Sequence, residues 1–210
     1  LVSGCEVTGV GGTAINVTGG MHISLTPGGN RVEDSWAHGF ARVKRTYSPG
    51  IAWAGVGNAF TNNLIENGPH VGILGGGNNF ACPLNMSQAE DLTCGGNDHR
   101  FIGNVVQDVA FETDDNGGFY SCGQRGQAWI SRGNVLQGNT FRRVRAPATL
   151  TLGHSINSCA YFDDQISGWS IDSNTFEDCQ IGVMINGGRE NQVVGNSFTD
   201  CDSMLWFTCP

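Results

Sequence analysis

The sequence predicts an all-β chain wound as a right-handed parallel β-helix, a solenoid of about seven coils with loop insertions. Three observations carry that expectation. The first is a recurring corner. Asp34-Ser-Trp36, Asn63-Leu-Ile65, Asn104-Val-Val106, Asn139-Thr-Phe141, Asn174-Thr-Phe176 and Asn196-Ser-Phe198 each place Asn or Asp two residues before an apolar one. Cys5-Glu-Val7 fits the same frame with Cys in the first place. The second is a column: five residues further on stand Val10, Gly39, Gly68, Val109, Val144, Cys179 and Cys201, all small or apolar. The third is composition. With 32 Gly and only 14% charged residues, the chain suits short strands and tight turns and excludes a coiled coil or a disordered polyampholyte.

Each coil follows from its corner. Successive corners, starting at Cys5, are separated by 29, 29, 41, 35, 35 and 22 residues. The shortest interval is the bare coil and the longer ones carry insertions. Asn tolerates the left-handed backbone of a sharp corner, and its side chain can bond the Asn one rung away. Rungs lie about 4.8 Å apart, so identical residues stack into ladders. A β-sandwich would instead show hairpin turns at short intervals, and Asn-Gly at 67, 116 and 186 keeps that alternative open. The chain reads as one domain over 1–210, a fragment or processed part of a longer protein. Its largest insertion runs from about Asn78 to Gly95, and Cys82 and Cys94 bracket it, so a disulfide closing that loop is expected. Cys179 and Cys201 sit one coil apart in the inward column, close enough for a disulfide but equally suited to two buried thiols.

The net charge of −8 and pI near 4.9 argue against binding nucleic acid through a basic surface. The densest basic run, Arg142, Arg143 and Arg145, reads as a solvated loop. Eight Cys without a C-x-x-C pair favour disulfides over zinc. Two glycosylation sequons, Asn16-Val-Thr18 and Asn85-Met-Ser87, join the cysteines in pointing to an extracellular, secreted protein. No apolar run approaches about 18 residues, so no membrane span is expected.

The densest polar stretch is Glu112-Thr-Asp-Asp-Asn-Gly-Gly-Phe-Tyr120; Tyr161-Phe-Asp-Asp-Gln165 and Ile185-Asn-Gly-Gly-Arg-Glu-Asn191 follow. Counting back ten residues from the corner Asn places Asp164 and Asn186 on neighbouring rungs, with Asp114 and Asp115 one coil earlier at the end of the corresponding strand. Such crowding raises at least one carboxyl pKa, and a glycosidase needs one protonated and one ionised carboxyl. The same pairs can bind Ca²⁺ through oxygen ligands or serve as ordinary turn residues. His70 and His99 follow strand ends and can reach the same face, although His most often serves as a hydrogen-bonding structural residue and less often in catalysis. Trp53, Trp129 and Trp169 can stack on sugar rings or pack in the core.

Several segments, in order along nearly the whole chain, resemble the β-helix proteins of glycoside hydrolase family 141. They are Leu25-Thr-Pro-Gly-Gly-Asn-Arg-Val-Glu33, Gly55-Val-Gly-Asn58, Asn63-Leu-Ile-Glu-Asn-Gly-Pro-His70, Gly95-Gly-Asn-Asp-His99 and the acidic segments above. The resemblance implies hydrolysis of plant or algal polysaccharide, with Asp114, Asp115, Asp163 and Asp164 as the catalytic carboxyls. Asn186, Arg189, His70 and His99 would orient the sugar, with Trp129 beside them. Family members are much longer, and the chain resembles their middle. Ser121-Cys-Gly-Gln-Arg-Gly-Gln-Ala-Trp129 replaces a shorter loop, and a Cys122–Cys159 disulfide across the cleft is the expectation there. The alternative is a non-catalytic structural or glycan-binding subunit that assembles head to tail into a filament, because a β-helix without caps offers open strands.

Overall fold

A computed structural model describes residues 1–22, 24–76, 96–122, 131–146 and 156–208. Three parallel sheets of seven strands each form the faces of a parallel β-helix, and every long sheet is ordered by coil rather than by hairpin. One coil runs through Arg31–Glu33, Trp36–His38 and Ile51–Trp53 before the next begins at Ala59–Thr61. All pairings within the three faces are parallel and in register, Phe60 on Phe101 and Phe141 on Phe176 among them. The parallel pairing excludes the sandwich. No helix of the described residues is long and apolar enough to cross a membrane.

The corners hold their shape by two devices on adjacent residues. Asp34, Asn62, Gly103, Gly138, Ser173 and Gly195 all take left-handed φ between 52° and 66°. The next residue carries the ladder. Asn63 N–H donates to Asn104 Oδ1 (3.0 Å), Asn104 N–H to Asn139 Oδ1 (2.8 Å), Asn139 N–H to Asn174 Oδ1 (2.9 Å) and Asn174 N–H to Asn196 Oδ1 (2.8 Å). Each of those side-chain amides also donates to a strand carbonyl of the preceding coil, as Asn104 Nδ2 does to Phe60 O at 2.9 Å. Two corrections follow. The left-handed residue precedes the ladder Asn rather than being it. The ladder residue of the second coil is Ser35, not Asp34: Cys5 N–H donates to Ser35 Oγ and Ser35 N–H to Asn63 Oδ1. The frame therefore shifts by one there, and Phe40, not Gly39, fills the inward column. Gly68 lies under the Phe40 ring, where a Cβ would come within 2.2 Å of it.

The interior is a stack of matched apolar columns. Phe60 lies on Phe101 with centroids 4.7 Å apart, and Phe141, Phe176 and Phe198 stack at 5.5 and 5.0 Å. Trp53 and Trp169 are fully buried and cross edge-on at 5.8 Å, so both pack in the core and neither offers a face to a sugar. Cys159 and Cys179 form a disulfide through this core, joining the third face to the second. That bond replaces both the Cys179–Cys201 and the Cys122–Cys159 pairings. Cys201 is half-buried against the core on the last coil, where its thiol contacts the carbonyls of Phe176 and Thr199. Asn16 sits on an outward, exposed strand position, as a glycosylation acceptor must. The Cys82–Cys94 pairing, Asn85 and Trp129 lie outside the described residues.

Candidate functional site

The third face contains Ile73–Gly76, Asn116–Cys122, Asn157–Asp163, Ile181–Asn186 and Ser203–Thr208. Alternation along these strands sends one column outward: Leu74, Tyr120, Tyr161, Met184 and Trp206 are in register. At the strand ends a polar column runs through Cys122, Asp163 and Thr208, with Asn186 between the last two. Asp163 is the residue that stacks on Asn186, not Asp164, because Phe162 pairs with Ile185. The Asp114–Asp115 pair also lies elsewhere than expected. It precedes its strand, and the strand end one rung before Asp163 is Cys122.

Side chains nevertheless bring the two acidic pairs together. Tyr120 and Tyr161 stack with centroids 4.7 Å apart. Tyr120 O–H donates to Asp163 Oδ2 at 2.7 Å, and Tyr161 O–H donates to Asp115 Oδ1 at 3.5 Å. Asp163 Oδ1 accepts from Asn186 Nδ2 (2.8 Å) and from the Asp164 amide (2.7 Å), and Thr208 Oγ1 braces Asn186 Oδ1 at 2.5 Å. Asp163 is 8% exposed. Asp115 is held above the usual carboxylate range, first by burial and then by the neighbouring Asp163 and Asp114 charges. Burial and the Asp163 carboxylate push both tyrosine hydroxyls well above their ordinary range, so they remain donors. Tyr47, which no sequence pattern singled out, is also raised, first by burial and then by Asp115, Cys122 and Asp163. Its ring lies 4.7 Å from that of His70.

The two expected histidines separate. His70 belongs to this neighbourhood. It is 3% exposed, its Nδ1 has no hydrogen-bond partner among the described residues, and burial lowers its pKa to about 4 against the pull of Asp114. His99 does not reach the acidic face. Its Nδ1 accepts from the Asn58 amide (3.2 Å) and its Nε2 donates to Gly55 O (2.9 Å), so it is a neutral rung of a second ladder. That ladder holds Asn30, Asn58, His99 and Asn134 at the preceding corner, each five residues before the first ladder. Arg189 is exposed at the corner after Ile181–Asn186, where its backbone pairs with Ser167 and Gly168.

Among the described residues, the one clustered donor set does not match Ca²⁺. Cys122, Asp163 and Asp164 hold one ligand atom each within 4.8 Å of one another, with Cys122 Sγ 2.9 Å from Asp164 Oδ2. A thiol suits borderline ions, whereas Ca²⁺ takes oxygen ligands alone. Among the described residues no ion pair joins Arg or Lys to Asp114, Asp115, Asp163 or Asp164. Compared with known proteins, the chain matches no family model, no curated protein and no solved structure.

Proposed function

We propose that this chain is an extracellular glycoside hydrolase acting on plant or algal polysaccharide, with Asp115 as the acid and Asp163 as the nucleophile or base. One observation carries the reading. Carboxyls from successive coils converge on a stacked tyrosine pair, and burial and like charge raise the proton affinity of Asp115. A carboxyl whose proton affinity is raised in this way is the better placed of the two to protonate a glycosidic oxygen. A carboxylate oriented by Tyr120, Asn186 and the Asp164 amide can attack the anomeric carbon or activate water. Asp114 and Asp164 flank these two, and His70 and Tyr47 stand where they can orient a sugar. The segments that resemble family 141 support the same chemistry, and the cysteines and sequons support the location.

The test is release of reducing ends from a panel of plant and algal polysaccharides by the wild type, Asp115→Asn and Asp163→Asn. Each substitution should lower the rate at least a hundredfold, in line with the loss of a general acid or base. Full activity in both variants, or none in the wild type on any polymer, would refute the proposal. Exposed Met204, Leu205, Trp206 and Phe207 on the edge strand favour a second reading, end-to-end assembly. Light scattering that finds monomers at high concentration would sink it.

A further inference from the structure

The second face carries its own arrangement of groups, on a different sheet from Asp115 and Asp163. Outward columns there place Trp36 beside Leu64 and Val105, and His38 beside Glu66 and Gln107. Trp36 is 38% exposed, yet it is held from several sides. Its Nε1 donates to Glu66 Oε1 at 3.0 Å. Its ring lies against His38 with centroids 3.9 Å apart and planes 21° from parallel. His38 is itself fixed, with Nε2 3.0 Å from Glu6 Oε1 and Nδ1 3.3 Å from Thr8 Oγ1. His38 covers one face of the indole, and part of the remaining ring surface is open to solvent. Asp34 and Asn62, both exposed, stand at the corner just before these rungs, with Asn62 Nδ2 3.5 Å from Asp34 Oδ1.

We infer that Trp36 is the platform of a polysaccharide-binding site separate from the acidic cluster, and that its ligand is a neutral sugar chain. An aromatic face receives the C–H face of a pyranose ring. Fixing the indole beforehand removes the rotamer entropy that binding would otherwise cost. Glu66, Asp34 and Asn62 supply acceptors and an amide for the hydroxyls around such a ring. The same carboxylates, with Glu6 and the net charge of −8, disfavour sulfated and uronate chains beside Trp36, and the cation further along that column, Arg142, is bonded to Gln107, which favours neutral chains. Rungs are about 4.8 Å apart, close to the length of one sugar ring, so a chain laid along the column meets Trp36, Leu64 and Val105 in turn.

Affinity electrophoresis tests this without requiring catalysis. Native gels would contain neutral arabinoxylan, galactomannan or mixed-linkage glucan, with pectin and fucoidan as anionic controls. Wild type and Asp163→Asn should both be retarded by at least one neutral polymer and by neither control. Trp36→Ala should bind about tenfold more weakly or not at all, while melting near the wild-type temperature. Trp36→Phe, which keeps a ring but loses the Nε1 bond, should fall between them and decides the matter if the alanine variant misfolds. Equal retardation of the variants and the wild type, no retardation by any neutral polymer, or retardation by the anionic polymers alone would overturn the inference. Because Asp163→Asn is assayed alongside, loss of hydrolysis and loss of binding are scored separately.

Discussion

His99 stands in a ladder where Asn30, Asn58 and Asn134 occupy neighbouring rungs, and its imidazole copies their hydrogen bonds. That substitution carries a pH consequence. Burial lowers its pKa to about 4, whereas the unfolded chain titrates near 6.5. Between those values the unfolded state binds a proton that the folded state refuses, so stability falls as pH drops from about 6.5 to about 4. His99→Asn should retain the fold and flatten that part of a Tm-against-pH curve. Asp115 has the opposite sign. Its raised pKa means that the folded state binds the extra proton, so stability falls as pH rises from the ordinary carboxylate value through the raised one. Asp115→Asn should therefore raise the Tm at pH 7 while lowering hydrolysis. A lower Tm would mean that the charge is better accommodated than its neighbours imply. Neither residue could be placed from sequence alone. Both histidines follow strand ends, and only the Asn58 and Gly55 contacts separate the ladder His99 from the site-side His70.

At the scale of the corner, the ladders do what a hydrophobic core cannot: they satisfy backbone amides at the bends. Asn139 Oδ1 accepts the Asn104 amide, and its Nδ2 donates to Phe101 O and Asn174 Oδ1, all in buried surroundings. Asn139→Ala strands at least one buried donor and one buried acceptor. The cost should be about 3 kcal/mol, measured by chemical denaturation. Asn196 makes analogous bonds on a partly exposed rung where water can substitute, so Asn196→Ala should cost under about 1 kcal/mol. Equal losses at the two positions would contradict this account. Most of the first ladder was legible, because Asn recurs at rung spacing before apolar residues. The shift from Asp34 to Ser35 was not, since Ser bonds through a hydroxyl that no Asn pattern detects. The second ladder lay five residues earlier all along, obscured because His99 and Trp169 replace Asn within it.

At the scale of the whole molecule, one covalent tie among the described residues joins two faces. The Cys159–Cys179 bond spans the core between the third sheet and the second. Replacing both residues with Ala should cost on the order of 3 kcal/mol, lowering Tm by roughly 10 °C while leaving the coil register intact. An unchanged Tm would place the stability of these coils in the ladders and aromatic stacks alone. By itself, the sequence determined the solenoid: the spacing of corner residues and the small or apolar column five places on specify parallel coils, because a rung repeats its neighbour's environment. It also showed that acidic residues cluster in two pairs. Only the tertiary structure decided which of them meet. Inserted loops change the count between rungs, so distance along the chain no longer measures distance across the sheet. Asp163 therefore faces Asn186 and Cys122, and it shares the Tyr120–Tyr161 pair with Asp115. The partner of Cys179 was settled the same way: an inward strand position gives a column but not the opposite wall, and Cys159 was on that wall.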